Sequence, residues 1–207
     1  MEPGTQIKRL PRSFYDRDPR KVARELLGKL LVRDERGKHR VGRVVEVEAY
    51  LEGDPAAHSY AGRTQRNDVL WGPPGLAYVY FIYGNHFLFN VSCLPDGKAG
   101  GVLFRALEPV EGLEAMALGR GLHLEDVRDL RLLTRGPGRM AEAFGITRER
   151  DNAKDLTSSA SDLWIGEDGL RIGRIAVTPR IGITKAAQRP WRYIVAGNRF
   201  VSGKASY

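Results

Sequence analysis

Apolar residues recur along this chain with two different periods, and the change from one period to the other predicts its helices and strands. Val22, Ala23 and Leu26 lie at helical spacing behind Asp18-Pro19, which has the form of an N-cap and a first-turn proline. Alternating or continuous apolar runs predict strands instead. The strands are expected over residues 30–33, 41–51, 76–83, 86–93, 101–107, 162–166, 170–178 and 191–202. Further helices are expected over residues 108–118, 122–133 and 139–144, with loops at 54–67 and 147–161.

The order of these elements indicates the fold class. Gly84-Asn85 separates two apolar runs and predicts the two-residue turn of a β-hairpin. Helices and strands do not alternate regularly, which argues against a doubly wound parallel sheet. We therefore expect an α+β fold in a single domain over residues 1–207: a curved, mainly antiparallel sheet, partly open and barrel-like, with peripheral helices and a protruding β-hairpin. Residues 1–12 are polar and are expected to be flexible.

Composition and charge narrow the class of partner. The 207 residues are 42% hydrophobic, enough for a full core, and the net charge of +8 favours a polyanionic partner. Cys93 is the only cysteine, which excludes a disulfide within the chain and fits a reducing cytoplasm. The longest uncharged stretch, residues 72–95, contains Gly-Pro-Pro-Gly and is not expected to span a membrane. With no signal peptide visible, we expect a cytoplasmic monomer without membrane contact.

The strand over residues 41–51 carries the most informative polar residues. Strand alternation places the mostly apolar set on one face and the acidic set on the other. The first set is Arg43, Val45, Val47, Ala49 and Leu51, and the second is Val44, Glu46, Glu48 and Tyr50. Carboxylates on a central strand are costly unless they are paired, in use or solvated. The face is therefore either a solvated sheet surface or a general base beside an aromatic platform, and alternation does not choose between Glu46 and Glu48.

Arg105 stands in the otherwise apolar strand over residues 101–107 and needs an anionic partner. A strand glutamate is the natural one, because such a pair would hold a carboxylate ionised and oriented as a general base requires. His58 follows in a loop after Asp54-Pro55, where a lone histidine is usually a surface residue.

Tyr78, Tyr80 and Tyr83 fall within six positions before the hairpin turn. They are either core aromatics of a strand or rings on which nucleic-acid bases stack.

The chain contains no sequence motif for zinc binding, nucleotide hydrolysis or dinucleotide binding. Asp54, Glu46, Glu48 and His58 match no zinc-site spacing, and neither a phosphate-binding nor a dinucleotide-binding glycine motif is present. The segment Arg135-Gly136-Pro137-Gly138-Arg139 precedes a short predicted helix. It is either a helix-entry turn or a loop that offers backbone amides to a DNA phosphate.

Taken together, an ordered set of segments resembles the alkyladenine (3-methyladenine) DNA glycosylase family from about residue 14 to residue 202. Each segment is unspecific alone, and the ordered set is specific. The segments cover residues 42–51, 56–59, 62–63, 76–84, 90–92, 102–114 and 180–183.

The resemblance implies a monofunctional DNA N-glycosylase of base excision repair. Such an enzyme flips an alkylated or deaminated purine out of double-stranded DNA and hydrolyses its bond to deoxyribose, without a cofactor, a metal or lyase activity. Carried over by matched position, the resemblance implies that Glu48 activates the attacking water and that Arg105 and the carbonyl of Ile183 hold this water. Tyr50 and Tyr80 would sandwich the flipped base, His58 would bond near the sugar-facing edge of the base, and Asn90 would meet the 2-position of the base. Tyr83 would fill the gap left in the duplex. Arg63, His86, Arg135 and Arg139 are expected on the DNA-binding surface.

The chain departs from the family pattern at two places. The loop over residues 62–67 is one residue shorter than expected, and Asn85-His86 is less bulky than the residues that usually follow the wedge tyrosine. Two alternative functions remain to be distinguished from a glycosylase: a non-catalytic binder of nucleic acid or damaged bases on the same scaffold, and a metal-dependent nuclease.

Overall fold

A nine-stranded antiparallel sheet organises the computed structural model, which describes residues 6–35, 37–82 and 84–203. The strands are β1 (Lys8–Arg9), β2 (Leu30–Glu35), β3 (Lys38–Leu51), β4 (Ala77–Ile82), β5 (His86–Ser92), β6 (Gly100–Glu111), β7 (Leu163–Glu167), β8 (Ile175–Thr178) and β9 (Arg192–Val195). Their order is β1-β7-β2-β3-β6-β5-β4, and β9 pairs with both β3 and β8. The predicted α+β class with one antiparallel sheet is confirmed.

Within the described residues, six short helices surround the sheet. They are α1 (Arg12–Tyr15), α2 (Pro19–Leu26), α3 (Leu113–Gly119), α4 (Arg131–Thr134), α5 (Pro137–Ala143) and α6 (Arg148–Asp151). The start of α2 is as predicted, because the Asp18 carboxylate accepts the backbone N–H of Arg20 and Pro19 takes the first turn. No helix in the described part of the chain is long and apolar enough to cross a membrane.

The main core lies between these helices and one face of the sheet. Val44, Val47 and Ala49 of β3 bury their side chains there, beside the rings of Phe89 and Phe104, whose centroids are 4.9 Å apart. A smaller second cluster joins β3, β6 and β9 to the C-terminal segment, which is residues 196–203. It contains Val45, Ala106, Ile194, Phe200 and Val201.

The pairing of β3 with β6 has three irregularities, and the two around Glu46 bear on the predicted alternation. Val44 pairs with Leu107 and Glu46 with Ala106, which leaves Val45 as an extra residue in β3. The next pair joins Val47 to Phe104, which leaves Arg105 as an extra residue in β6. Val44 therefore packs in the main core and Val45 in the second cluster, the reverse of the prediction, because a bulge shifts the side-chain alternation by one position.

β3 also changes partners along one edge at this point. It pairs with β2 over residues 38–43 and with β9 over residues 46–48. The extra residue Val45 thus lies between two ladders, and residues 46–48 are flanked by β6 and β9. This central position explains why the acidic face of β3 is buried and not solvated.

Several predicted boundaries were wrong. The helix expected over residues 108–118 begins only at Leu113, since β6 continues to Glu111 by pairing with β3, and this pairing outweighs the helix-start signal of Glu108-Pro109. The helix expected over 122–133 is a 3-10 turn, Leu124–Asp126, followed by α4. The loop expected over 147–161 contains α6, which Thr147 caps. The last two predicted strands shorten to β8 and β9.

The segment over residues 1–12 was expected to be flexible, and the structure describes it from residue 6. There β1 pairs with β7, and the side chain of Leu10 is buried. This part of the segment is therefore packed against the sheet.

Gly112 provides a test of the junction between β6 and α3. Its φ is +77°, and a Cβ added there would lie 1.9 Å from the carbonyl oxygen of His39. We expect Gly112→Ala to lower the free energy of unfolding by more than about 2 kcal/mol, because strain and a backbone clash add. Gly121→Ala is the control: its φ is +66° with open space around it, so the loss should be about 1 kcal/mol. Denaturant unfolding of both variants measures this, and equal losses would contradict the clash.

Candidate active site

A cavity of about 230 Å³ lies where β3, β4, β5 and β6 meet two loops. One loop follows β3 (residues 52–67), and the other joins β8 to β9 (residues 179–191). Six residues predicted from the sequence line this one cavity: Tyr50, His58, Tyr80, Asn90, Arg105 and Ile183. A space several times the roughly 30 Å³ share of one water can hold a group of several non-hydrogen atoms.

The Glu48 carboxylate is fully buried and lies directly behind the cavity wall. Its Oε1 accepts the backbone N–H of Ile181 at 2.9 Å. Its Oε2 accepts the Tyr50 hydroxyl at 2.9 Å and Arg105 Nη1 at 3.3 Å. All three donors belong to residues that line the cavity. Cavity-lining residues therefore separate the carboxylate from the cavity.

Arg105 joins the two carboxylates of β3. Its Nε donates to Glu46 Oε1 at 2.9 Å, while Nη1 donates to Glu48 and to the carbonyl of Ile181, the latter at 3.4 Å. Burial opposes the charged guanidinium, but the charges of Glu48 and Glu46 outweigh it, so the pKa of Arg105 is raised. The predicted pairing of Arg105 with a strand glutamate is thus present, and it involves both glutamates.

Glu46 has a different set of donors from Glu48. Its Oε1 accepts Arg192 Nε at 2.7 Å and the Ser202 hydroxyl at 2.9 Å, in addition to Arg105. Its Oε2 accepts the backbone N–H of Ser202 at 2.5 Å. Glu46 therefore binds the C-terminal segment to the sheet, and none of the residues that bond it except Arg105 lines the cavity.

Tyr50 supplies both a ring to the cavity and a hydroxyl to Glu48. Burial raises the pKa of Tyr50 above its ordinary range, and the charge of Glu48 and the hydrogen bond to it raise it further. The hydroxyl thus stays protonated and donates to the carboxylate. On the ring, the guanidinium of Arg180 lies 4.5 Å from the centroid.

His58 is held by the tyrosines of β4. Its Nδ1 lies 2.8 Å from the Tyr78 hydroxyl, and its ring meets that of Tyr80 edge-on with centroids 4.4 Å apart. Burial lowers the pKa of His58, and the positive charge of Arg66 lowers it further, so the imidazole is neutral at pH 7. Burial also raises the pKa of Tyr78 to about 12. Tyr78 is thus both a core residue and the partner that orients His58.

Asn90 and the loop over residues 179–191 complete the wall. Asn90 is buried on β5, and its Nδ2 donates to the backbone carbonyl of Tyr78 at 3.2 Å. The carbonyl that accepts Arg105 belongs to Ile181, whereas the sequence pointed to Ile183, which lines the cavity two residues further on. The role predicted for the Ile183 carbonyl stays a prediction.

The comparison with known proteins identifies the family to which this site belongs. Residues 13–199 match the family description Methylpurine-DNA glycosylase. The chain belongs to this family. It is 62% identical over 200 residues to a protein of Koribacter versatilis (96% of this chain and 95% of that protein), and 46% identical over 203 residues to one of Burkholderia cenocepacia (97% and 93%). A protein of Methanoculleus marisnigri is 47% identical over 199 residues (93% and 98%). All three carry the name "Putative 3-methyladenine DNA glycosylase".

Membership confirms the resemblance found in the sequence and assigns the chain to the DNA glycosylases, which repair damaged DNA. Among the described residues, no three His, Cys, Asp or Glu side chains are grouped as metal ligands would be.

The residues predicted to contact DNA differ in whether their side chains already pair with a carboxylate. Arg63 is exposed and pairs with the equally exposed Asp68 at 2.5 Å. His86 begins β5, and its Nδ1 lies 2.8 Å from Glu142 Oε1 of α5. Arg139 is exposed on α5 and forms no ion pair with any other described residue. Tyr83, the predicted wedge, lies outside the residues that the structure describes. These contacts stay predictions.

Arg135 has a structural role in addition to the predicted one. Its Nε donates to the carbonyl of Val201 and its Nη2 to that of Gly203, each at 2.8 Å. The guanidinium therefore binds the residues on either side of Ser202, which Glu46 binds. A phosphate contact of Arg135 would have to compete with these bonds.

Four further residues that organise this site were not predicted from the sequence. Ile181 bonds both Glu48 and Arg105; Arg180 stacks on Tyr50; Asp54 pairs with Arg180; and the Arg66 guanidinium lies 5.8 Å from the centroid of Tyr80. Arg180 and Ile181 did fall within the family-like segment over residues 180–183. Asp54 had been considered only as a metal ligand.

The two glutamates are expected to differ in their effect on stability. Glu46→Gln should lower the free energy of unfolding by about 3–5 kcal/mol, because it leaves Arg192 and Arg105 without full compensation inside the protein. Glu48→Gln is the matched comparison and should cost less, since Glu48 contacts one arginine, at 3.3 Å. Denaturant unfolding at pH 7 measures both. A larger loss for Glu48→Gln would mean that Glu48 and not Glu46 holds the fold together.

The effect of the Arg66 charge on the pKa of His58 should be measurable. Titration of the imidazoles by NMR should place the pKa of His58 below its ordinary value, and Arg66→Gln should raise it by removing a nearby positive charge. Arg63→Gln is the control, because the same loop carries this arginine but Asp68 pairs with it. An unchanged His58 titration in Arg66→Gln would show that burial alone lowers this pKa.

Proposed function

We propose that this chain is a monofunctional DNA N-glycosylase that removes alkylated or deaminated purines from double-stranded DNA. The observation that carries the proposal is the arrangement at Glu48: a buried carboxylate bonded by Arg105, Tyr50 and the Ile181 amide, all of which line one aromatic cavity. Family membership and the names of the relatives support the same substrate class.

In the proposed reaction Glu48 is the general base. It takes a proton from a water molecule, the water oxygen bonds to C1′ of the sugar, and the bond from C1′ to the base nitrogen breaks with its electron pair leaving on the base. The products are an abasic site and a free base. A cationic alkylated base leaves neutral and Glu48 then loses its proton to solvent, whereas a deaminated base leaves as an anion that takes up one proton. Arg105 and the Ile181 amide complement the negative charge of the carboxylate before it takes the proton. A general base typically contributes about 10²–10⁴-fold in rate.

In the proposed reaction the Tyr50 hydroxyl gives up its hydrogen bond to Glu48. It occupies Glu48 Oε2, the oxygen that faces Arg105 and Tyr50. We propose that the Tyr50 ring shifts when a base enters the cavity, so that a water takes over this bond. Hydrogen bonds in unliganded active sites often rearrange in this way when substrate binds.

The base itself is proposed to lie between Tyr50 and Tyr80. Both rings line the cavity, and stacking on aromatic side chains is worth about 1–3 kcal/mol per base. That range offsets much of the cost of flipping, roughly a few kcal/mol, which is smallest for damaged pairs. His58 would bond the base near its sugar, and Asn90, fixed by its bond to the Tyr78 carbonyl, would exclude a 2-amino group.

The duplex is proposed to be held outside the cavity by the positive surface. Arg63 and Arg139 are exposed and suit phosphate contacts. Tyr83 is proposed as the wedge on the grounds of the sequence, since it follows Ile82 of β4 and precedes the hairpin turn.

One assay tests the reaction class. The protein is incubated with EDTA and a duplex carrying a single hypoxanthine, and half of each sample is then treated with hot alkali. We expect strand breaks only after alkali, because hydrolysis leaves an abasic site and not a nick. Glu48→Gln should lose about 10²–10⁴-fold in single-turnover rate. Glu114→Gln, an exposed carboxylate at the start of α3, is the control and should match the wild type.

Each contrary outcome identifies a different protein. Breaks without alkali would indicate lyase or nuclease activity, and loss of activity in EDTA would indicate a metal-dependent enzyme. Wild-type activity in Glu48→Gln would remove Glu48 from the reaction. Tight binding of the lesion without release of the base would indicate a non-catalytic binder.

A further inference from the structure

Asp54 is a fully buried carboxylate outside the proposed chemistry, and it connects the two loops that wall the cavity. In its own loop its Oδ1 accepts the backbone N–H of Ala56 at 3.2 Å. From the loop over residues 179–191 it accepts Arg180 through both carboxylate oxygens, with Nη2 to Oδ1 at 3.0 Å, and Arg189 Nη1 at 3.4 Å. His58 and Ile181 to Ile183 are carried by these same two loops.

Arg180 extends this connection to β3. It is 3% exposed, and its Nη1 also donates to the carbonyl of Ala49, the residue between Glu48 and Tyr50, at 3.1 Å. Its guanidinium stacks on Tyr50 at 4.5 Å and on Trp191 at 5.2 Å from the ring centroids. One side chain therefore fixes the backbone beside Glu48 and one face of the Tyr50 ring.

The residue after Arg180 acts on the carboxylate itself. The backbone N–H of Ile181 bonds Glu48, and its carbonyl accepts Arg105. The side chain of Arg180 and the peptide of Ile181 are adjacent in the chain, so fixing one restricts the other. The position of two of the groups that bond Glu48, the Ile181 amide and the Tyr50 hydroxyl, thus depends on Arg180.

We propose that the Asp54–Arg180 pair is a positioning pair for the reaction: it joins the two cavity walls, seats the Ile181 amide on Glu48 and limits how far the Tyr50 ring can shift. This inference rests on the proposed function. A purely structural pair is the alternative, and burying two charges is itself weak evidence for a gain in stability. The structure contains such a pair for comparison: Arg33 and Asp151 are likewise fully buried and bonded in a bidentate manner, and neither lines the cavity.

The test compares Asp54→Asn and Arg180→Lys with Asp151→Asn, which breaks the comparison pair. Single-turnover release of hypoxanthine and the Kd for the same duplex are measured at a temperature where circular dichroism shows each variant folded. We expect the first two variants to release the base about 10- to 100-fold more slowly, because misplacement of a reacting group by about 1 Å can cost that much. Their Kd should stay within about threefold of wild type, and Asp151→Asn should keep the wild-type rate.

Hydrogen exchange provides a readout that does not depend on catalysis. In Asp54→Asn and Arg180→Lys the peptides covering residues 54–59 and 180–191 should exchange faster together, while in Asp151→Asn they should not. If wild-type protein releases no base, the proposed function fails, and coupled exchange of the two loops still decides whether the pair joins them.

Two results would overturn the positioning role. One is a wild-type rate of base release in a folded Arg180→Lys or Asp54→Asn variant. The other is a loss of rate in Asp151→Asn as large as in those variants, which would mean that any buried pair has this effect. Should Asp54→Asn not fold, Arg180→Lys decides alone, because it keeps a cation against Asp54 and removes only the bidentate geometry and the stacking.

Discussion

The burial of two carboxylates on the central strand is the constraint on which the rest of this structure depends. Glu46 and Glu48 are both inaccessible to solvent, and removal of such charges from water costs several kcal/mol each unless partners replace the water. Arg105 and Arg192 supply two positive charges, and backbone N–H groups of Ile181 and Ser202 supply fixed donors. Each partner comes from a distant part of the chain. The bulges of β3 and β6, the pairing of β3 with β9 and the path of the C-terminal segment all bring these partners together.

The alternation of side chains along β3 and the position of the hairpin could be predicted from the sequence, because both depend on neighbouring residues in the chain. From Glu46 to Tyr50 the side chains of β3 alternate, so the shared side of Glu46, Glu48 and Tyr50 follows from the sequence. Gly84-Asn85 marked the hairpin, but the predicted two-residue turn was wrong, because the last pair joins Ile82 to His86 and leaves three residues between the strands. The alternation failed at Val44 and Val45, because a bulge is set by the neighbouring strands and leaves no signal in the strand itself. The helix predicted from Glu108-Pro109 failed similarly, since pairing with β3 extends β6 past a sequence that would favour a helix start.

The cavity residues show the same division. Tyr50, Tyr80 and Arg105 carry types of side chain that suggest chemistry wherever they occur, and the family resemblance selected them. Asp54 and Arg180 are 126 residues apart, and their pairing exists only in the folded chain, so neither composition nor spacing could reveal it. Tyr78 is buried, the first of the two alternatives for the hairpin tyrosines, but its bond to His58 crosses from a strand to a loop and has no counterpart in the sequence pattern.

The choice between the two glutamates, which alternation left open, can be argued from what each would lose by giving up a donor. Glu46 is bonded by the backbone and hydroxyl of Ser202 and by two arginines, so release of any donor would loosen the C-terminal segment or leave a buried cation without its partner. Glu48 has one donor of a different kind: the hydroxyl of Tyr50, whose ring lines the cavity proposed to receive the base. A general base must exchange one of its hydrogen bonds for a bond to water. Of the two carboxylates, only Glu48 is bonded by a hydroxyl whose side chain lines the cavity, which is why the proposed reaction is assigned to it.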